Sequence, residues 1–146
     1  LVHHAVKDDN NNPEKKLELM AFLLDVFPAC ASVQDSKGCL PLHYAVATNQ
    51  DTRILQYLMD FHTEGVNTKD GRGDIPLHTA ARNLNVKPDN VKALCKFNKK
   101  TAQIKDHEER LPLRIAFEVG QSDQIKDIIK EAWPDATEFM FGRDRG

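Results

Sequence analysis

The chain has 146 residues, 20 Lys and Arg against 22 Asp and Glu for a formal charge of −2, and 40% apolar residues. That balance excludes a disordered charged tail and a protein held to polyanions by net charge alone, and the length suits one compact unit with its own core. The longest apolar run, Leu19 to Leu24, is six residues, far short of the roughly 20 that a membrane helix needs.

From the first residue onward the same short motif returns. Leu1-Val2-His3-His4-Ala5-Val6 opens the chain, and Leu40-Pro41-Leu42-His43-Tyr44-Ala45-Val46, Ile75-Pro76-Leu77-His78-Thr79-Ala80-Ala81 and Leu111-Pro112-Leu113-Arg114-Ile115-Ala116-Phe117 follow, the last three at spacings of 35 and 36 residues. Such a period marks a repeat architecture. The proline suits the first position of a helix, where a missing N–H costs nothing. The alanine common to all four copies lets a neighbouring helix approach closely.

Each motif is followed by a second apolar segment with helical spacing, centred on Leu23-Leu24, Leu58-Met59, Leu94-Cys95 and Ile128-Ile129. The distance from motif to pair varies (21, 16, 17 and 15 residues), whereas the distance from pair to next motif is 19 each time. A variable stretch contains a surface turn, and a fixed one has its own geometry. The unit is therefore a short helix, a variable turn, a second helix and an extended connector of fixed length. In the connectors Asp35, Asp70 and Asp106 precede Gly38, Gly73 and Glu109 by three residues. Asp-x-x-Gly is a turn signature. Glu109 accepts a positive φ less readily than glycine, so a differently shaped last tip is expected.

These residues resemble the ankyrin repeat, in which an Asp-x-x-Gly tip leads into Pro-Leu-His-x-Ala; Pro41-Leu42-His43 with Ala45, and Pro76-Leu77-His78 with Ala80, carry the match, as does Val66-Asn67 leading to Asp70. The resemblance implies an all-α repeat solenoid of stacked helix-turn-helix units with protruding hairpin connectors. It places repeats at 1–34, 35–69, 70–105 and 106–146, with both ends inside a longer array and Gly146 at another tip. There are departures. Leu40, Ile75 and Leu111 stand where the family has Thr before Pro, leaving the histidines to bond backbone carbonyls of adjacent hairpins. Arg114 replaces His and Phe117 replaces a small residue, so the last copy is expected to pack less regularly. Asn49 stands at a turn where glycine is usual, a position asparagine tolerates.

Catalytic and metal chemistry find little support. His3 and His4 are adjacent on a helix and point about 100° apart, His43 and His78 recur at one structural position, and His62 and His107 lack ligand partners at chelating spacing. No metal and no cofactor is expected. Cys95 replaces an aliphatic residue and reads as a buried thiol. Cys39, at a hairpin, reads as exposed, with nothing near to activate it. With no phosphate loop, nucleophile elbow or paired carboxylates, the chain is read as a non-enzyme. Lys96-Phe97-Asn98-Lys99-Lys100 is the densest basic run and is read as helix-end and connector solvation, so nucleic acid is not an expected partner.

The function the resemblance implies is protein–protein interaction, as a scaffold or adaptor, through a concave surface of hairpins and first helices. The alternative is a regulatory or spacer segment of a larger enzyme, channel or signalling protein. Carried over by position, the partner-binding candidates are Ser36, Lys37, Cys39 and Thr48, then Arg72, Asp74, Arg82 and Asn83, then His107, Glu108, Arg110 and Glu118. Arg72, Arg82 and Arg110 are the preferred anchors, since arginine is enriched at interface hot spots. Three cysteines at irregular spacing and a start at Leu1 without a leader fit a monomeric piece of an intracellular protein, cytoplasmic or nuclear, with no membrane insertion.

Overall fold

The computed structural model describes residues 12–136, in which seven α-helices alternate with short 3₁₀ turns and tight hairpin tips. The opening motif with its histidine pair, and Gly146, lie outside the described residues. Helix α1 runs Pro13–Val26, α2 Pro41–Ala47, α3 Thr52–Phe61, α4 Pro76–Arg82, α5 Pro88–Phe97, α6 Pro112–Glu118 and α7 Asp123–Ala132. Among the described residues there is no strand.

The helix starts are the expected ones. Pro41, Pro76 and Pro112 each open a first helix, and the longer helices α1, α3 and α7 are capped by the side chains of Asn12, Asp51 and Ser122. The short helices α2, α4 and α6 stack on one another in one layer, and α1, α3, α5 and α7 stack in a second. Ala45, Ala80 and Ala116 are fully buried in the first layer. Ile54, Leu55 and Met59 on α3, Val91 and Leu94 on α5, and Ile125 and Ile129 on α7 fill the space between the layers. The core is thus a ribbon running the length of the stack, each helix pair covering its neighbours. On α1, Leu19, Phe22 and Val26 stay exposed, Phe22 by 62%.

Two expectations need correction. The fixed-length connector is not extended from its start: Pro28–Ser32, Thr63–Asn67 and Lys99–Gln103 each form a 3₁₀ turn. Ala31, Val66 and Ala102, at matching positions, are buried and pin these turns to the core, which is why their length does not vary. The second correction concerns the last hairpin tip. Glu109 takes a φ of 61°, close to the 77° and 81° of Gly38 and Gly73, and its N–H bonds the Asp106 carbonyl as theirs bond Asp35 and Asp70. The third tip therefore repeats the first two, with strain placed on a residue that carries a Cβ. Asn49 adopts φ 57° at the turn between α2 and α3, the part glycine plays at Gly120 between α6 and α7.

Candidate functional site

The hairpin tips are built on one carboxylate each. Asp35 Oδ1 accepts the N–H groups of Lys37 and Cys39, Asp70 Oδ1 those of Arg72 and Asp74, and Asp106 Oδ1 those of Glu108 and Arg110, all within 2.9–3.0 Å. A short side chain two to four residues upstream thus organises the whole turn. Tip meets tip through backbone: the Gly71 N–H donates to the Lys37 carbonyl at 2.8 Å. A Cβ on Gly73 would stand 2.4 Å from the His107 ring and 2.6 Å from its backbone nitrogen.

Two buried histidines tie tips to first helices. The Leu40 N–H donates to His43 Nδ1 at 3.0 Å, which leaves Nε2 to donate to the Asp74 carbonyl of the next tip at 2.9 Å. His78 repeats the arrangement, taking the Ile75 N–H and donating to the Arg110 carbonyl at 3.0 Å. The hydroxyl absent before each proline is thus replaced by a backbone donor. Burial pushes both imidazoles below their ordinary value, only partly offset by the carbonyls that accept from them.

A charge ladder crosses the same face. Arg82 grips the fully buried Asp74 with two bonds, 3.0 Å and 3.2 Å, and reaches Asp106 at 3.4 Å. Arg110 holds Asp106 at 3.1 Å and extends to Glu108 and Glu118. Arg114 joins Glu118 at 3.0 Å. Burial works against the charge on Asp106, but the N–H donors of Arg110 and Glu108 and the Arg110 guanidinium outweigh it and hold the carboxyl below the usual range.

The same construction, an Asp-organised tip, a proline-started helix and a buried histidine bonding forward, therefore recurs along the chain. The sequence model of ankyrin repeats, in three copies, matches residues 42–137. The chain belongs to the ankyrin repeat family. Ankyrin repeats are generally protein–protein interaction modules. No curated protein matches this chain.

On this ankyrin array the candidate residues separate into two groups. Ser36, Lys37, Thr48, Arg72, His107 and Glu108 are exposed, on the tips and at the end of α2. Asp74 is fully buried, and Arg82 and Arg110 keep only 28% and 24% of their side chains exposed, their guanidiniums committed to carboxylates. Asn83 is half-buried and turns inward, its amide donating to the Val46 and Ala47 carbonyls at the end of α2. Glu118 is shared between Arg110 and Arg114. Cys39 is half-buried and not freely exposed, its Sγ 3.9 Å from Asp70 Oδ2. Burial, and then the Asp70 and Asp35 carboxylates, push its thiol up, so it is a poor nucleophile at neutral pH. Burial also takes Cys95 up to about 12.

Among the described residues no three His, Cys, Asp or Glu side chains gather where they could hold one metal ion. No helix there is long and apolar enough to cross a membrane. One set of residues escaped the sequence reading. Asn90 is fully buried, donates to the Gln50 carbonyl at 2.9 Å and accepts from the Thr52 hydroxyl at 2.6 Å. Gln121 likewise reaches back to the Ala81 and Asn83 carbonyls. A polar residue at an apolar helical register was the available signal for Asn90.

Proposed function

We propose that this ankyrin array is a scaffold or adaptor module, dividing into repeats at residues 35, 70 and 106, and that it binds a partner protein with the face made of hairpin tips and first helices. One observation carries the reading. Each tip is held by inward groups, the Asp carboxylate and the positive-φ residue, while Ser36, Lys37, Arg72, His107 and Glu108 point out from a backbone they do not stabilise. A rigid frame carrying exposed polar side chains lowers the entropy cost of docking and leaves selectivity to residues that vary without harm to the fold. Arg72, exposed and forming no ion pair among the described residues, is the anchor best placed to meet a partner carboxylate.

Arg82 and Arg110 serve the surface differently, by fixing its charges in place. The test follows from that division. The chain and a Lys37→Glu/Arg72→Glu variant, first shown to have the same Tm, are used to capture proteins from a lysate of the source cells. Proteins bound by the parent and lost from the variant support the reading. Capture that is equal for both places recognition elsewhere and overturns it, and capture by neither favours an array that serves its own parent protein.

A further inference from the structure

The opposite face of the molecule carries a feature the fold does not require. Between α5 and α7 lies an open groove of about 400 Å³, with Cys95, Ile128 and Ala132 on its floor and Lys92, Lys96 and Lys99 along one side; Glu131 is the lone carboxylate lining it. The groove has a local cause. Cys95 occupies the register position that holds Met59 on α3 and Ile129 on α7, both fully buried and larger. The smaller side chain fills less of the space there.

The lysines are not a consequence of helix architecture either. Counted from the buried pair of each long helix, the positions of Lys92, Lys96 and Lys99 are held on α3 by Gln56, Asp60 and Thr63, and on α1 by Ala21, Asp25 and Pro28. On α7 the first two are Lys126 and Lys130, but those lie over the Phe117 ring, 4.8 Å and 5.5 Å from its centre. Lys92, Lys96 and Lys99 form no ion pair among the described residues, in a chain whose net charge is −2. Three cations beside an apolar floor, with one opposing carboxylate, form a local positive strip in an otherwise slightly acidic protein.

The arrangement of the charges selects the ligand. The lysines stand at i, i+4 and i+7 along the groove, a linear spacing that suits a row of carboxylates better than a single phosphate. Lys92 and Lys96 are one turn apart, about 6 Å along the axis, the same rise as two carboxylates at i and i+4 of another helix. We propose that this groove is a second docking site, for an acidic amphipathic helix of a partner protein. Its carboxylates lie along Lys92, Lys96 and Lys99, and an apolar side chain enters over Cys95, Ile128 and Ala132. Helix-in-groove recognition needs these two components, an anchor pocket and flanking complementary charge.

The probe is a fluorescein-labelled peptide of about 18 residues, long enough to be helical in water, with Glu at i, i+4 and i+7 beside a Leu stripe. Fluorescence anisotropy follows its titration with the full chain at low salt. Saturable binding is expected, weakened about tenfold or more by Lys92→Glu/Lys96→Glu/Lys99→Glu and several-fold by Cys95→Met, which adds volume at the floor. Lys37→Glu/Arg72→Glu on the other face is expected to leave it unchanged, which separates this site from the tip surface. The proposal fails if the peptide does not bind, if a scrambled peptide of equal charge binds as well, or if the lysine variant, folded by circular dichroism, keeps full affinity. It also fails if vesicles of phosphatidylcholine with phosphatidylserine bind through the same lysines while the peptide does not, which would make the strip a membrane contact.

Discussion

The guanidinium of Arg82 closes a two-pronged pair on the carboxylate of Asp74, a residue with no exposed surface, and ties the end of α4 to the tip that precedes it. Removing Arg82 would leave Asp74 buried and charged. Breaking a buried pair from one side costs about 3–5 kcal/mol, and the partial exposure of Arg82 lowers that to about 2–3 kcal/mol. Arg82→Ala is therefore expected to lower unfolding stability in urea by that amount, and Asp74→Ala/Arg82→Ala by much less than the sum of the single changes. Additive losses would show that the pair is not coupled.

His43 and His78 predict an acid limit to stability. Burial depresses both pKa values in the fold, whereas the unfolded chain titrates near about 6.5. Below that value the unfolded state takes up protons the folded state refuses, so stability is complete above it and falls as pH drops toward the depressed values. Two such groups approach a slope of about 2.7 kcal/mol per pH unit, twice the one-proton value. Urea unfolding at pH 7.5, 6.5 and 5.5 is expected to show the decline, with His78→Ala less stable throughout but flatter over this interval. A slope unchanged by His78→Ala would mean that other groups set it.

The architecture was legible because its determinants are local and recur: the proline before each short helix, the small alanine within it, and the Asp three residues before a glycine. Helix pairing could be read from register, and bonds from His43 and His78 to adjacent hairpins from the resemblance; that they run forward to the Asp74 and Arg110 carbonyls is seen only in the structure. What lay hidden were consequences of neighbours far apart in sequence. The burial of Asp74 depends on Arg82 folding back over it, and the inward turn of Asn83 depends on carbonyls at the end of α2. An arginine looks the same in sequence whether it faces solvent or a buried carboxylate, so Arg72 and Arg82 read alike there, whereas in the structure Arg72 is exposed and Arg82 is paired with Asp74 and Asp106. The groove beside Lys96 was hidden for the same reason, since Cys95 and Ile128 come together only when α5 packs on α7.

Glu109 and Gly73 occupy the same place in successive tips and are expected to respond oppositely to substitution. Glu109→Gly relieves a left-handed conformation worth about 1–2 kcal/mol, less the backbone entropy that glycine loses, for a net gain near 0.5–1 kcal/mol. Its pair with Lys105 at 3.3 Å is exposed and contributes little. Gly73→Ala adds both a disfavoured φ and a Cβ inside van der Waals distance of His107, and is expected to lower stability by more than about 1 kcal/mol. Thermal unfolding of the two variants beside the parent reads both signs.

Asn90 tests whether the variable turn is a loose loop or a joint between helix pairs. Its amide and the Thr52 hydroxyl satisfy each other out of water, and its N–H₂ group holds the Gln50 carbonyl. Asn49 completes the joint by accepting from the Lys87 N–H and donating to the Asn85 carbonyl, both at 2.8 Å. Asn90→Ala strands these partners and is expected to cost about 1–3 kcal/mol. Removing the hydroxyl as well, in Thr52→Val/Asn90→Leu, leaves fewer orphaned groups and is expected to recover part of the loss. If the turn is a joint, hydrogen exchange at the Lys87 amide accelerates in Asn90→Ala while the Leu94 amide keeps its order of protection. Equal acceleration at both would mean that Asn90 supports the whole of α5, and no change at either would mean that the turn carries no load between the pairs.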